Sequence, residues 1–198
     1  DTFFVSKIPD TALIADMGDK AVNALTLAYP IQMLIIALGV GTGIGINTQT
    51  AHNLGTKGYE RVSRTAGNAI LIAVVYFLLI AAFGIFGAGT FINSQTQDPV
   101  IRELGTQYLK IVSILSLGTI GHMCIEKIVM ATGRTVSTMI AQLTGAIVNI
   151  VLDPIFIYGL PGIPAMGIRG AAIATVAGQF VSFFIIAYML IRKCPEVK

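Results

Sequence analysis

Charge is scarce in this 198-residue chain: 12% of its residues are Asp, Glu, Lys or Arg, and 55% are hydrophobic. A soluble domain carries about 25% charged residues, so roughly half of an aqueous surface is missing. The mean hydropathy of +0.80 points the same way, toward lipid as the solvent. Cysteine is nearly absent too. Cys124 lies in an apolar stretch and Cys194 near the end of the sequence, too few for a disulfide framework and with no metal-knuckle spacing. No basic cluster with interleaved aromatics is present, so the net charge of +3 excludes a nucleic-acid partner and reads as loop asymmetry. Interdomain linkers and low-complexity tracts are missing as well, which leaves one domain over residues 1–198. No signal peptide is visible. The apolar run Thr2-Phe3-Phe4-Val5 begins abruptly behind Asp1, as expected of a fragment cut from a longer helix.

What is present is a series of apolar segments near the roughly 20 residues that cross a bilayer. They fall at about 21–46, 66–91, 105–131, 137–158 and 171–191, with residues 1–8 as the outer end of another. The fold class expected is all-α, a polytopic membrane helix bundle. Short spacers separate the segments. Lys57, Arg61, Arg64, Arg134, Arg192, Lys193 and Lys198 fall in alternate spacers, against Lys7, Lys20, Arg102, Lys110 and Arg169 in the others. By the positive-inside rule the first set is cytoplasmic.

Within this apolar background, Asn149-Ile150-Val151-Leu152-Asp153-Pro154 stands out. An ionisable carboxylate in mid-membrane costs about 3 kcal/mol on insertion scales. Asn149 and Asp153 are one turn apart and share a face. Pro154 has no N–H for the Ile150 carbonyl, which leaves an acceptor free. In the charge-derived topology Asp1 lies ~10 Å from the outer end of its helix, with Asp153 and Thr175 each ~8 Å from the outer ends of theirs. Asp1, Asn149, Asp153 and Thr175 therefore share a depth, and oxygen ligands of this kind suit Na⁺ or H⁺. Against that stand plainer roles: polar glue between helices for Asn149 and Asp153, and a bond to its own backbone for Thr175.

His122 and Glu126 are also one turn apart, with Lys127 adjacent. They make either a secondary proton relay, given how readily His switches near neutral pH, or a simple pairing of Glu126 near the cytoplasmic end, the plainer reading. Gln32, Asn47, Thr48 and Gln49 are candidates to line a water-filled path. Cys124 reads as a small buried apolar residue, and Pro30 as a kink. The glycines at 39, 41, 43 and 45 lack the third position of a dinucleotide fingerprint. Their small-xxx-small spacing instead suits close helix approach.

Four stretches together resemble the multidrug and toxic compound extrusion (MATE) family, nearest its DinF-like branch. They are Asp1 to Val5; Gly39 to Gly45 with Asn53-Leu54-Gly55; Ala131 to Thr135; and Asn149 to Pro154 with Met166 to Thr175. The resemblance implies half of a twelve-helix transporter: a six-helix N-terminal lobe with its first helix truncated, whose missing C-terminal lobe would be its partner. It implies a secondary antiporter, not an enzyme, in a bacterial or archaeal inner membrane. Such a protein exports cationic or amphipathic organic compounds in exchange for Na⁺ or H⁺ and needs no cofactor. It places the cation or proton site at Asp1, Asn149, Asp153 and Thr175. Two alternatives remain: a flippase for a lipid-linked precursor in the same superfamily, and a membrane-embedded hydrolase with Asp1 and Asp153 as its acid pair.

Overall fold

The computed structural model describes residues 1–10 and 16–197. Eight helices follow one another: α1 (Thr2–Val5), α2 (Met17–Gly55), α3 (Tyr59–Phe86), α4 (Ala88–Gln95), α5 (Pro99–Ile114), α6 (Leu117–Ala131), α7 (Thr135–Tyr158) and α8 (Ile168–Lys193). Among the described residues there is no strand, only an isolated bridge from Leu160 to Ile163 in the α7–α8 turn. Four helices, α2, α3, α7 and α8, are long and apolar enough to cross a membrane; α5 and α6, bent by 44° at their junction, make a fifth if taken together.

Each of the five expected apolar segments falls mostly on helix, but the helices overrun them. The segment 21–46 is the middle of a 39-residue helix that continues through Pro30, and most of the spacers at 52–64 and 93–110 are helical. The reason is that hydropathy marks only the hydrocarbon-crossing length, whereas the backbone keeps its hydrogen bonds inside a helix well beyond it. The segment 66–91 breaks at Gly87, and 105–131 is interrupted at Leu115–Ser116. The start of α5 was legible after all: Asp98-Pro99 is an N-cap followed by proline at the first helical position. Asp98 Oδ1 accepts from Val100 N at 2.8 Å and Ile101 N at 3.3 Å. Those two N–H groups, with Lys20 Nζ 3.5 Å away, hold the Asp98 carboxyl below its ordinary range.

Packing is tightest where α7 meets α8. A Cβ on Gly145 would lie 2.6 Å from the Gly178 carbonyl oxygen, and one on Gly178 equally close to the Gly145 oxygen and 3.1 Å from Asn149 Cβ. The two backbones thus meet beside Asn149. Gly39 and Gly43 serve α2 similarly: Cβ atoms there would run into Met123 and, at 2.7 Å, Lys127 Cγ of α6, whereas Gly41 and Gly45 face open space. Leu79, Phe86, Val136, Ile147 and Ile191 are each more than half exposed on the outer surface. That surface suits lipid.

At the far end Gly133, at φ +82°, turns the chain from α6 into α7. Arg134 then grips Glu196 with two bonds, Nη1 to Oε2 at 3.2 Å and Nη2 to Oε1 at 3.0 Å. The guanidinium lowers the Glu196 pKa. A depressed carboxyl stabilises above its unfolded pKa and loses that contribution as pH falls through its folded one. Glu196→Gln should therefore lower the melting temperature at pH 7, with the gap to wild type closing below about pH 4; a gap that persists in acid contradicts the ion pair. Gly178→Ala should destabilise by roughly 1–3 kcal/mol through overpacking. A detergent melt identical to wild type would contradict the close α7–α8 approach.

Candidate functional site

Helix α7 carries Asp153 into the bundle, where the residue has no exposed surface. One turn earlier Asn149 donates Nδ2–H to Asp153 Oδ1 at 3.4 Å. The nitrogen of Asp1 lies 3.1 Å from Asp153 Oδ2. Aside from this contact Oδ2 is buried without a hydrogen bond. Asp1 is fixed from two sides: Thr175 Oγ1 on α8 is 2.6 Å from Asp1 Oδ2, and the Tyr158 hydroxyl ties α1 to α7 by donating to Phe4 O at 2.6 Å.

The four residues expected to share a depth are thus drawn together by three helix segments. The same Thr175 hydroxyl lies 2.9 Å from the Ala171 carbonyl. A hydroxyl has one hydrogen, so it either donates to Asp1 or bonds its own helix and accepts from a protonated Asp1. Proton occupancy of the site can thereby redirect a bond between helices. The set also offers oxygens for a hard cation, from two carboxylates and a hydroxyl, plus the Asn149 amide oxygen if that amide is turned over, an orientation inferred from its hydrogen bond. Among the described residues no cluster of three or more His, Cys, Asp or Glu stands ready for a metal ion. A cation here must rely on two carboxylates and neutral oxygens.

A cavity of about 300 Å³ opens beside this cluster, with Asp1, Gln32, Tyr108, Thr175, Gln179 and His122 in its wall. Gln32 Nε2 donates to the Tyr108 hydroxyl at 2.8 Å. Tyr108 is buried on α5 and had not been picked out from the sequence. The signal was there, since a tyrosine in the buried stripe Gly105, Tyr108, Leu109, Val112 must find a partner for its hydroxyl. Gln179 and Ser182 were missed likewise, although they continue the Thr175 face of α8 at i+4 and i+7. Gln179 Oε1 accepts from Thr119 of α6.

Of the expected path-lining residues, Gln32 reaches this cavity, and Gln49 borders a separate one between α2 and α3. Asn47 spends its amide on the Lys127 carbonyl at 3.0 Å, a contact between α2 and α6. Thr48 bonds the Ile44 carbonyl of its own helix at 2.9 Å. Glu126 pairs with both neighbours, His122 Nε2 at 3.6 Å and Lys127 Nζ at 3.4 Å. Cys124 is buried in the apolar cluster between α2, α3 and α6. An aspartyl hydrolase needs two carboxylates sharing a proton. Here Asp1 and Asp153 bond separate partners, Thr175 and Asn149.

The chain is similar along its length to known transporters. It is 27% identical over 194 residues to a FAD transporter of Shewanella oneidensis, covering 94% of this chain and 41% of that protein. It is 24% identical over 184 residues to a probable multidrug resistance protein NorM of Thermotoga maritima, covering 93% and 40%. Among solved structures, that of the MATE multidrug transporter DinF-BH superposes with a TM-score of 0.86 at 26% identity, over 100% of this chain and 42% of that one. The chain therefore spans about two fifths of the length of these relatives. The MatE family model matches residues 2–155, and with an all-helical bundle of membrane-spanning length around it, the chain belongs to the MatE family of membrane transporters.

Proposed function

We propose that this chain supplies the N-terminal lobe of a secondary antiporter that exports cationic or amphipathic organic compounds in exchange for Na⁺ or H⁺. The coupling ion binds at Asp153, Asn149, Asp1 and Thr175. The observation that carries this reading is the wholly buried Asp153 carboxylate, paired with the Asn149 amide one turn earlier. Helix glue alone does not account for it, because an amide would hold the helices at ~1 kcal/mol or less without the ~3 kcal/mol insertion cost of a carboxylate.

Neutralising Asp153 by a proton or Na⁺ relieves that burial and changes the acceptors available to Asn149, Asp1 and Thr175. The site joins α1, α7 and α8, so ion occupancy biases how those helices pack. An ion drives the change only through its differential affinity for the two packings. The site lies in the outer half of a prokaryotic inner membrane, with Arg134 and Glu196 on the cytoplasmic side. A second lobe faces this one and completes the substrate path. The carboxylates at the cavity favour a cationic cargo. A flavin nucleotide, the cargo in the name of one relative, would meet like charge there, as would a lipid pyrophosphate.

The test is transport by the full-length protein in vesicles, using a rhodamine cation as cargo and imposed Na⁺ or pH gradients. Asp153→Asn should abolish gradient-driven export while the protein still reaches the membrane and still binds the dye. Wild-type export by that variant would refute the site.

A further inference from the structure

One buried titratable group has no part in the site just described. His122, on α6, borders the 300 Å³ cavity that holds Asp1, Tyr108 and Thr175. It also borders a second cavity of about 270 Å³ with Asn149, Thr175, Gln179 and Ser182. Its Nδ1 is buried, beside the Ser182 backbone of α8. Its other nitrogen, Nε2, lies 3.6 Å from Glu126 Oε2. Lys127 Nζ, 3.4 Å from the other Glu126 oxygen, compensates the charge of that carboxylate. The pairing explains Glu126; it does not explain an imidazole in the wall of two polar cavities.

Around His122 the polar groups are mostly neutral, with Asp1 in the wall of one cavity and Glu126 on its own helix. From α1 the cavity receives Asp1, from α5 Tyr108 and from α2 the neutral Gln32. Helix α8 presents Thr175, Gln179 and Ser182, and α7 presents Gln142 and Asn149. Helix α3 brings Tyr76 to the adjoining cluster around Cys124. On its own helix the charged groups are Glu126 and Lys127, one and a little over one turn closer to the Arg134 end.

We propose that His122 and Glu126 form the inward release path for a proton carried by the Asp1–Asp153 site. The path rests on the reading above and applies to its proton-coupled form. The cavity has room for a chain of several waters. A proton leaving a carboxylic acid at the site crosses them to His122 Nδ1, giving imidazolium and restoring the carboxylate. The imidazolium then gives its Nε2 proton to Glu126, which passes it to water on the cytoplasmic side. Loss of that proton leaves neutral imidazole in its other tautomer, and a ring or proton exchange resets it. No net charge accumulates on the relay.

The experiment uses the full-length protein in vesicles, with a rhodamine cation as cargo and a trapped pH dye. His122→Gln and Glu126→Gln should each slow pH-driven exchange on the order of 100-fold, the usual scale for a lost proton-transfer group, with dye binding unchanged. His122→Ala should regain rate when imidazole is added, which a merely structural histidine would not allow. Wild-type rates and an unaltered pH profile in both Gln variants overturn the relay. Exchange driven by Na⁺ and indifferent to the pH gradient overturns it too, while leaving Asp153 as the ion site. Asp153→Asn in the same vesicles separates the two ideas: its normal transport sinks the site, whatever His122 does.

Discussion

An acidic side chain sealed inside an apolar bundle must find donors, and much of the interior is arranged around that need. Asp153 has Asn149 on its own helix, and Asp1, at the start of α1, lies beside it. Holding Asp1 in place then requires the Thr175 contact from α8 and the Tyr158 bond across α1. Each partner lies on a segment that would otherwise be free to slide. The Asp153 cluster and the docking of α1 against α7 and α8 are therefore one structural unit.

That unit depends on close backbone approach. Gly145 and Gly178 let α7 and α8 nearly touch beside Asn149, and Gly39 and Gly43 let α2 settle on α6. In lipid the hydrophobic effect gives little drive for helices to associate, so small residues and interhelical hydrogen bonds do most of the holding. The polar groups therefore form an interior column, from the Asp153 cluster through Gln179 and Thr119 to His122 and Glu126. Large apolar side chains such as Leu79, Phe86 and Ile147 turn outward.

Membrane class, the order of the apolar segments and a common depth for Asp1, Asn149, Asp153 and Thr175 were legible in the sequence. Each follows from a local rule: apolar run length, helical spacing, and depth counted from a helix end. Helix ends were less legible, because composition changes at the lipid boundary while backbone hydrogen bonding does not; α2 overruns its apolar core by several residues at both ends. Tyr108 and Gln179 escaped notice because their importance comes from what other helices place opposite them. Asn47 shows the reverse. It looked fit to line a path, yet its amide is taken by the Lys127 carbonyl, a partner 80 residues away that spacing along one helix does not reveal.

The central claim is that Asp153 carries the coupling ion. Its most direct test is the thermal unfolding of the full-length protein in NaCl against choline chloride, and across pH at fixed ionic strength, with and without Asp153→Asn. A ligand bound only by the native state stabilises it, by about 2.7 kcal/mol at a hundredfold excess over its dissociation constant. The account predicts that either Na⁺ or acid raises the melting temperature of the wild type, and that Asp153→Asn removes that response. The same response to both ions in wild type and variant would contradict it.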